Sequence, residues 1–117
     1  MLPADARLAK SSGFRAAYSK GRSSATDLIV VYVLARPSGT RVRFGFAAGK
    51  KVGGAVQRNR AKRHMREAAR VFLPSISGRC DIVVGARRPI AEAPFAEVRN
   101  HLERLLRRAG VIPNTGD

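Results

Sequence analysis

Between positions 50 and 70 the chain places eight cationic side chains, Lys50, Lys51, Arg58, Arg60, Lys62, Arg63, Arg66 and Arg70, against a single carboxylate, Glu67. At about 100° per residue, Ala61, Met65, Ala68 and Phe72 line up as an apolar stripe, while Asn59, Lys62, Arg63, Arg66 and Arg70 fill the opposing arc, with Arg58 and Arg60 at its edges. The like-charge pairs Arg58–Lys62, Lys62–Arg66 and Arg66–Arg70 each cost a helix about 0.2–0.5 kcal/mol, on the order of 1 kcal/mol together. A helix serving only the fold would mix in glutamate. This one is suited to a polyanion, because guanidinium groups take phosphate oxygens through paired hydrogen bonds.

Other chemistries find little support. His64, His101 and Cys80 fall on separate segments, and their spacing gives no reason for the contact that a Cys–His nucleophile pair needs. The glycines of Gly49-Lys50-Lys51-Val52-Gly53-Gly54 lack the order of a phosphate loop and its Lys-Ser/Thr ending. Carboxylates are few and scattered, so a two-metal nuclease site built by the protein is not expected. One cysteine excludes an internal disulfide and a multi-cysteine zinc site. We expect no catalytic residue and no metal held by side chains.

The elements that must position the basic segment fit one domain. The chain has 117 residues, 44% of them hydrophobic, and a formal net charge of +15 from 23 basic and 8 acidic residues. That balance points to nucleic acid or an anionic membrane surface. No apolar run approaches a membrane span and no signal-peptide core opens the chain, so a cytoplasmic protein with no membrane partner is expected.

In chain order, residues 1–10 read as loosely ordered. Ser11 or Ser12 can cap a short helix carrying Phe14, Ala17 and Tyr18 on one side and stopping at Gly21. Residues 22–27 read as a polar connector. Leu28–Leu34 is a β-branched run expected to be a strand buried on much of both faces. After a turn at 36–40, residues 41–48 alternate, with Val42, Phe44, Phe46 and Ala48 on one side and Arg41, Arg43 and Gly45 on the other. The two strands are expected to pair as an antiparallel hairpin. From Leu28 to Arg66 there are ten basic residues and no acidic one, so strands and basic helix should share one positive surface.

Leu73-Pro74-Ser75 and Ser77-Gly78 end the basic helix, Asp81–Ala86 forms a third strand, and Pro94 opens a last helix. Phe95, Val98, Leu102, Leu105 and Ala109 make its buried stripe, Glu103 and Arg107 an i, i+4 pair, and Gly110 its end. The expected fold is α+β, a single domain over 1–117 in the order α-β-β-α-β-α, with a core at about 11–110 and a tail beyond. Generic chirality favours a right-handed crossover through the basic helix.

Phe46-Ala47-Ala48-Gly49-Lys50-Lys51-Val52-Gly53-Gly54-Ala55-Val56-Gln57-Arg58-Asn59-Arg60-Ala61-Lys62-Arg63, continuing into Arg66-Glu67-Ala68, closely resembles the signature of the bacterial ribonuclease P protein subunit. The flanking segments follow the family's order over nearly the whole chain. Gly54 stands where the family usually has Asn, His64 where an aliphatic residue is common, and Gly49 where Ser is frequent. The resemblance implies a small α/β sandwich related to a ribosomal-protein fold, with a left-handed β-α-β crossover. It implies a partner, the catalytic ribonuclease P RNA, and a joint activity, removal of the 5′ leader from precursor tRNA. The catalytic Mg2+ ions would be held by the RNA, and no obligate protein partner is evident. By matching positions, Arg58, Asn59, Arg60, Lys62, Arg63 and Arg66, with Arg70 in the same row, would contact the catalytic RNA. Phe14, Tyr18 and Tyr32, joined by Phe44, Lys50 and Lys51, would form the cleft for the single-stranded leader. The rivals are a ribosomal or other structural RNA-binding protein without a role in tRNA cleavage, and a DNA-binding module using the basic helix in the major groove.

Overall fold

The structure is a computed structural model that describes residues 2–37, 39 and 42–113. The main elements are α1 (Ser11–Lys20), β1 (Arg22–Ala25), β2 (Ile29–Ala35), β3 (Val42–Ala47), α2 (Ala55–Phe72), β4 (Cys80–Ala86) and α3 (Phe95–Arg108). The strands form one sheet in the order β1-β2-β4-β3. β4 pairs antiparallel with β2 and parallel with β3, so β3-α2-β4 is a crossover between adjacent parallel strands.

The expected β2–β3 hairpin does not form. Alternation tells which face a residue takes, not which strand lies beside it. In β4 all of Cys80 to Val84 are buried, so this strand takes an interior place and separates β2 from β3. The supposed connector at 22–27 contains β1, paired from Arg22 opposite Val33 to Ala25 opposite Val30. Its side chains are polar or small and mostly exposed. Backbone hydrogen bonding rather than apolar patterning makes it a strand, and the observed order is α-β-β-β-α-β-α.

Helices cover both faces of the sheet. On one, Ile29, Val31, Val33, Phe44, Ile82 and Val84 pack with Met65, Ala68, Val98, Leu102 and Leu105 of α2 and α3. The expected stripes of both helices are borne out, with Ala69 and Leu106 added and Phe72, Phe95 and Ala109 only partly buried. On the other face, α1 makes a smaller cluster of Leu8, Ala17 and Val83 with Phe14, Tyr32 and Leu34. β2 is therefore well buried on one face only: Ile29, Val31 and Val33 are buried, while Val30, Tyr32 and Leu34 are half-buried.

The described residues on either side of the expected core are packed, while the rest of the expected tail, 114–117, lies outside the described residues. Leu2, Ala6 and Leu8 are buried, as are Val111 and Ile112. The Leu8 amide donates to the Phe44 carbonyl at 2.7 Å, and the Arg7 guanidinium donates to the Leu2 carbonyl at 3.0 and 2.8 Å. Ser11 is the first helical residue of α1, not its cap, and Lys10 precedes it without a side-chain cap bond. Gly21 ends α1 in an extended conformation, where an added Cβ would lie 2.5 Å from the Ala17 carbonyl oxygen.

Candidate nucleic-acid interface

α2 follows Gly53, whose φ of +144° is one that side-chain-bearing residues rarely adopt. With its apolar underside held by the sheet and α3, the helix turns Asn59, Arg63, Arg66 and Arg70 to solvent and leaves Arg58, Arg60 and Lys62 half-buried. Among the described residues, Arg70 alone in this row has a carboxylate partner, Glu67 at 3.2 Å, and both groups are about half exposed. Such a surface pair is worth about 0–1 kcal/mol and leaves the row strongly positive. Arg60 is braced, its Nη1 donating to the Ala91 carbonyl at 2.7 Å. His64 lies edge-on to Phe95, ring centroids 5.9 Å apart. Burial first, then the Arg60 and Arg63 charges, hold its imidazole below the ordinary pKa, so it adds nothing to the positive face at neutral pH.

On the opposite face three rings form a chain. Phe14 and Tyr18 are 6.5 Å apart between centroids, and Tyr18 meets Tyr32 edge-on at 4.9 Å. Tyr18 is 45% exposed, so it offers a free surface where the other two are half-buried. Register explains why this face is open. Ser23, Tyr32, Val83 and Gly45 form one row across the sheet, and α1 buries Val83 completely. The next row on the same face is Ala25, Val30, Gly85 and Ala47, of which Ala25 is exposed and the other three are half-buried.

Basic groups stand at both ends of the aromatic face. At one, Phe14, Gly45 and Phe46 share a cleft of about 440 Å³ with Lys62 and Arg66, which brings α1 and the basic row of α2 together. At the other, Lys51 lines a pocket of about 420 Å³ with Asp27, Arg87 and Arg88, and Lys50 is exposed on the same 3-10 turn. Arg87 and Arg88 were missed in the sequence. Yet Arg87 stays extended after β4, with φ −105° and ψ 159°, and keeps the parity of Val83 and Gly85.

Phe44 lines the same cleft as Phe14, Lys62 and Arg66, but from the core side. It is 1% exposed and packs in the main core on the α2 side, stacked at 5.9 Å on Phe46. Its own alternation with Val42 and Phe46 requires that placement. Asp81 was also underread. Buried at the end of the sheet, it accepts from Arg43 at 2.8 and 2.9 Å and lies 2.8 Å from Arg36 Nε. Arg36 and Arg43 are thus turned inward, and the positive surface rests on α2 and the loops beside it. His101 has Nδ1 2.8 Å from Thr26 Oγ1 and ties α3 to the β1–β2 turn.

Among the described residues, no three of His, Cys, Asp or Glu come together as a possible metal-ligand set. No helix among them is long and apolar enough to cross a membrane.

A basic helix face on one side of the sheet, reached through a shared cleft from partly exposed rings on the other, defines a small α+β protein of the RNA-binding class. Rings take unpaired bases, and cation rows take phosphates. The comparisons make this specific. The family model described as Ribonuclease P matches residues 2–110. The ribonuclease P protein component of Symbiobacterium thermophilum is 46% identical over 110 residues, covering 94% of this chain and 96% of that protein. Among solved structures, the Staphylococcus aureus RNase P protein aligns with a TM-score of 0.84 at 35% identity, over 92% of this chain and 98% of that one. The Thermotoga maritima RNase P protein aligns with a TM-score of 0.75 at 32% identity, over 87% and 96%. The chain belongs to the ribonuclease P protein family, as a subunit of the endoribonuclease that processes the 5′ end of tRNA.

Proposed function

We propose that α2 docks on the catalytic RNA of ribonuclease P while the aromatic face holds the 5′ leader of precursor tRNA. Arg58, Asn59, Arg60, Lys62, Arg63, Arg66 and Arg70 serve the first contact. Phe14, Tyr18 and Tyr32 serve the second, with Lys50 and Lys51 taking further phosphates of the strand; Phe44 supports the sheet beneath them. The observation that carries this reading is the cleft shared by Phe14, Lys62 and Arg66, because it puts a ring for a base beside cations for the neighbouring phosphates.

Recognition of this kind tolerates sequence. Every base has a π-face, and stacking on an aromatic ring is worth about 1–3 kcal/mol per base. Phosphate contacts to a single strand make affinity fall with salt, with a slope of about −0.7 per phosphate. Both suit a leader that differs among precursor tRNAs. The chemistry of cleavage belongs to Mg2+ ions held by the RNA. This chain recruits and positions substrate and strengthens metal binding, acting in the cytoplasm.

Reconstitution with a bacterial ribonuclease P RNA tests this. At low magnesium the protein should stimulate leader removal, and Tyr18→Ala should weaken binding of precursor tRNA about five- to tenfold with mature tRNA little changed. No stimulation by the wild-type protein would count against the reading as a whole. Equal losses for the two tRNAs would return Tyr18 to a packing role.

A further inference from the structure

We infer that Gly45 is a positioning residue for the leader, a bare stretch of β3 that lets the Phe14 ring lie against the sheet at the height where it can take a base. The inference rests on the leader-binding reading of the aromatic face and deepens it.

The backbone does not demand glycine here. The glycines of the described chain with positive φ are Gly39, Gly53, Gly78 and Gly110, and Gly45 is not among them. It sits inside β3 opposite Val83 of β4, where glycine weakens a strand and any other residue could take the same backbone angles. Space is what forbids a larger residue. An added Cβ would lie 2.6 Å from Phe14 Cζ, 2.9 Å from Cε2 and 3.2 Å from Cε1. All three atoms are at the far end of the ring, so the ring meets the strand tip-first. Two of these distances are under 3.0 Å, and ordinary van der Waals contact begins at 3.4 Å.

The ring has few ways to retreat. A phenylalanine side chain has two rotatable bonds, and Phe14 packs into the cluster of Leu8, Ala17 and Val83, with Tyr18 6.5 Å away. Alanine at 45 would lift or swing the ring out of line with the neighbouring Tyr18 and with Lys62 and Arg66, its partners along the cleft. Methyl for hydrogen on β3 therefore acts at a distance, through the ring, on how a base is seated.

The test is a double-mutant cycle in the holoenzyme reconstituted with a bacterial ribonuclease P RNA. Wild type, Gly45→Ala, Phe14→Ala and the double variant are compared for affinity to precursor and to mature tRNA, and the free proteins for Tm. Phe14→Ala should lower the preference for precursor about five- to tenfold. Gly45→Ala should lower it several-fold with only a modest fall in Tm, the cost of displacing the ring, and should add less than twofold in the Phe14→Ala background, since the ring it acts through is gone. A loss that is additive in the double variant overturns the inference. So does a Gly45→Ala protein with full preference beside a Phe14→Ala protein that has lost it, or one whose Tm falls sharply. If Phe14→Ala and Tyr18→Ala both keep the wild-type preference, the leader-binding reading itself fails, and the role of Gly45 with it.

Discussion

α2 and α3 lie side by side on the same face of the sheet, and their undersides are alike, yet their outer faces follow opposite rules. α3 has Glu97 in its first turn, Arg107 and Arg108 in its last, and a Glu103–Arg107 ion pair one turn apart. Each choice complements the helix dipole or a neighbour and favours the helix. α2 has no acid in its first turn and like charges repeated through its 18 residues, while neither helix has a side-chain cap. The second helix forgoes stability that the first collects, while the packing beneath is kept. The contrast locates function: where the fold could be improved by simple substitutions and is not, another molecule supplies the missing partners.

The undersides should respond alike and most strongly. Met65→Ala in α2 and Leu105→Ala in α3 each empty a fully buried site, and each should lower unfolding free energy by about 2–5 kcal/mol in denaturant titrations. If one is nearly neutral, the two helices do not share a core as described.

The outer faces should part company. Arg58→Ala with Arg60→Ala should weaken assembly with ribonuclease P RNA by at least about a hundredfold, as expected for losing two charged hydrogen bonds of about 1.5–3 kcal/mol each. The slope of log affinity against log salt should become shallower by about 1.5. The matching change in α3, Arg99→Ala with Arg104→Ala, should leave assembly close to wild type. Equal losses from both pairs would mean that net charge, not the α2 face, governs binding.

A smaller effect sharpens the point by its sign. Arg66→Glu turns repulsion with Lys62 and Arg70 into attraction, so the free protein should gain about 0.5–1 kcal/mol while assembly with RNA is lost. Stability unchanged or reduced would show that the row is not strained as argued.

The weakest difference is in pH. Burial and the Arg60 and Arg63 charges disfavour protonation of His64 in the folded state, so the unfolded chain takes up that proton first. The contribution is complete above the ordinary imidazole value of 6.5 and is lost as pH falls through and below it. His64→Gln should flatten the stability profile in that window. A wild-type profile already flat there would remove His64 from the packing between the two helices.

How much of this could be read beforehand depended on the range of the interaction. The stripes of α2 and α3 and the β-branched runs of β2 and β4 are local patterns, and they were legible. The basic row was legible for the same reason, since neighbours on a helix are near in sequence. β1 was hidden because an edge strand of Arg, Ser, Ser and Ala carries no apolar signature. The place of β4 between β2 and β3, and the convergence of Arg36 and Arg43 on Asp81, join residues about 40 positions apart, as the Arg43–Asp81 separation of 38 illustrates. Phe44 carries both signals. Its alternation with Val42 and Phe46 sets it toward the core, and it still lines the cleft of Phe14, Lys62 and Arg66.

The position of β4 has a consequence for how the chain is made. As the last strand to be synthesised, it is also the one on which the sheet closes, pairing with both β2 and β3. Until Cys80–Ala86 has left the ribosome, β2 and β3 have made their apolar faces but lack the strand that joins them. The parallel β3–β4 pairing then closes across the whole of α2, the kind of non-local pairing that slows folding. A nascent chain halted before Cys80 would hold the full basic helix and still have no completed sheet to fasten it to, so its affinity for RNA would precede its shape.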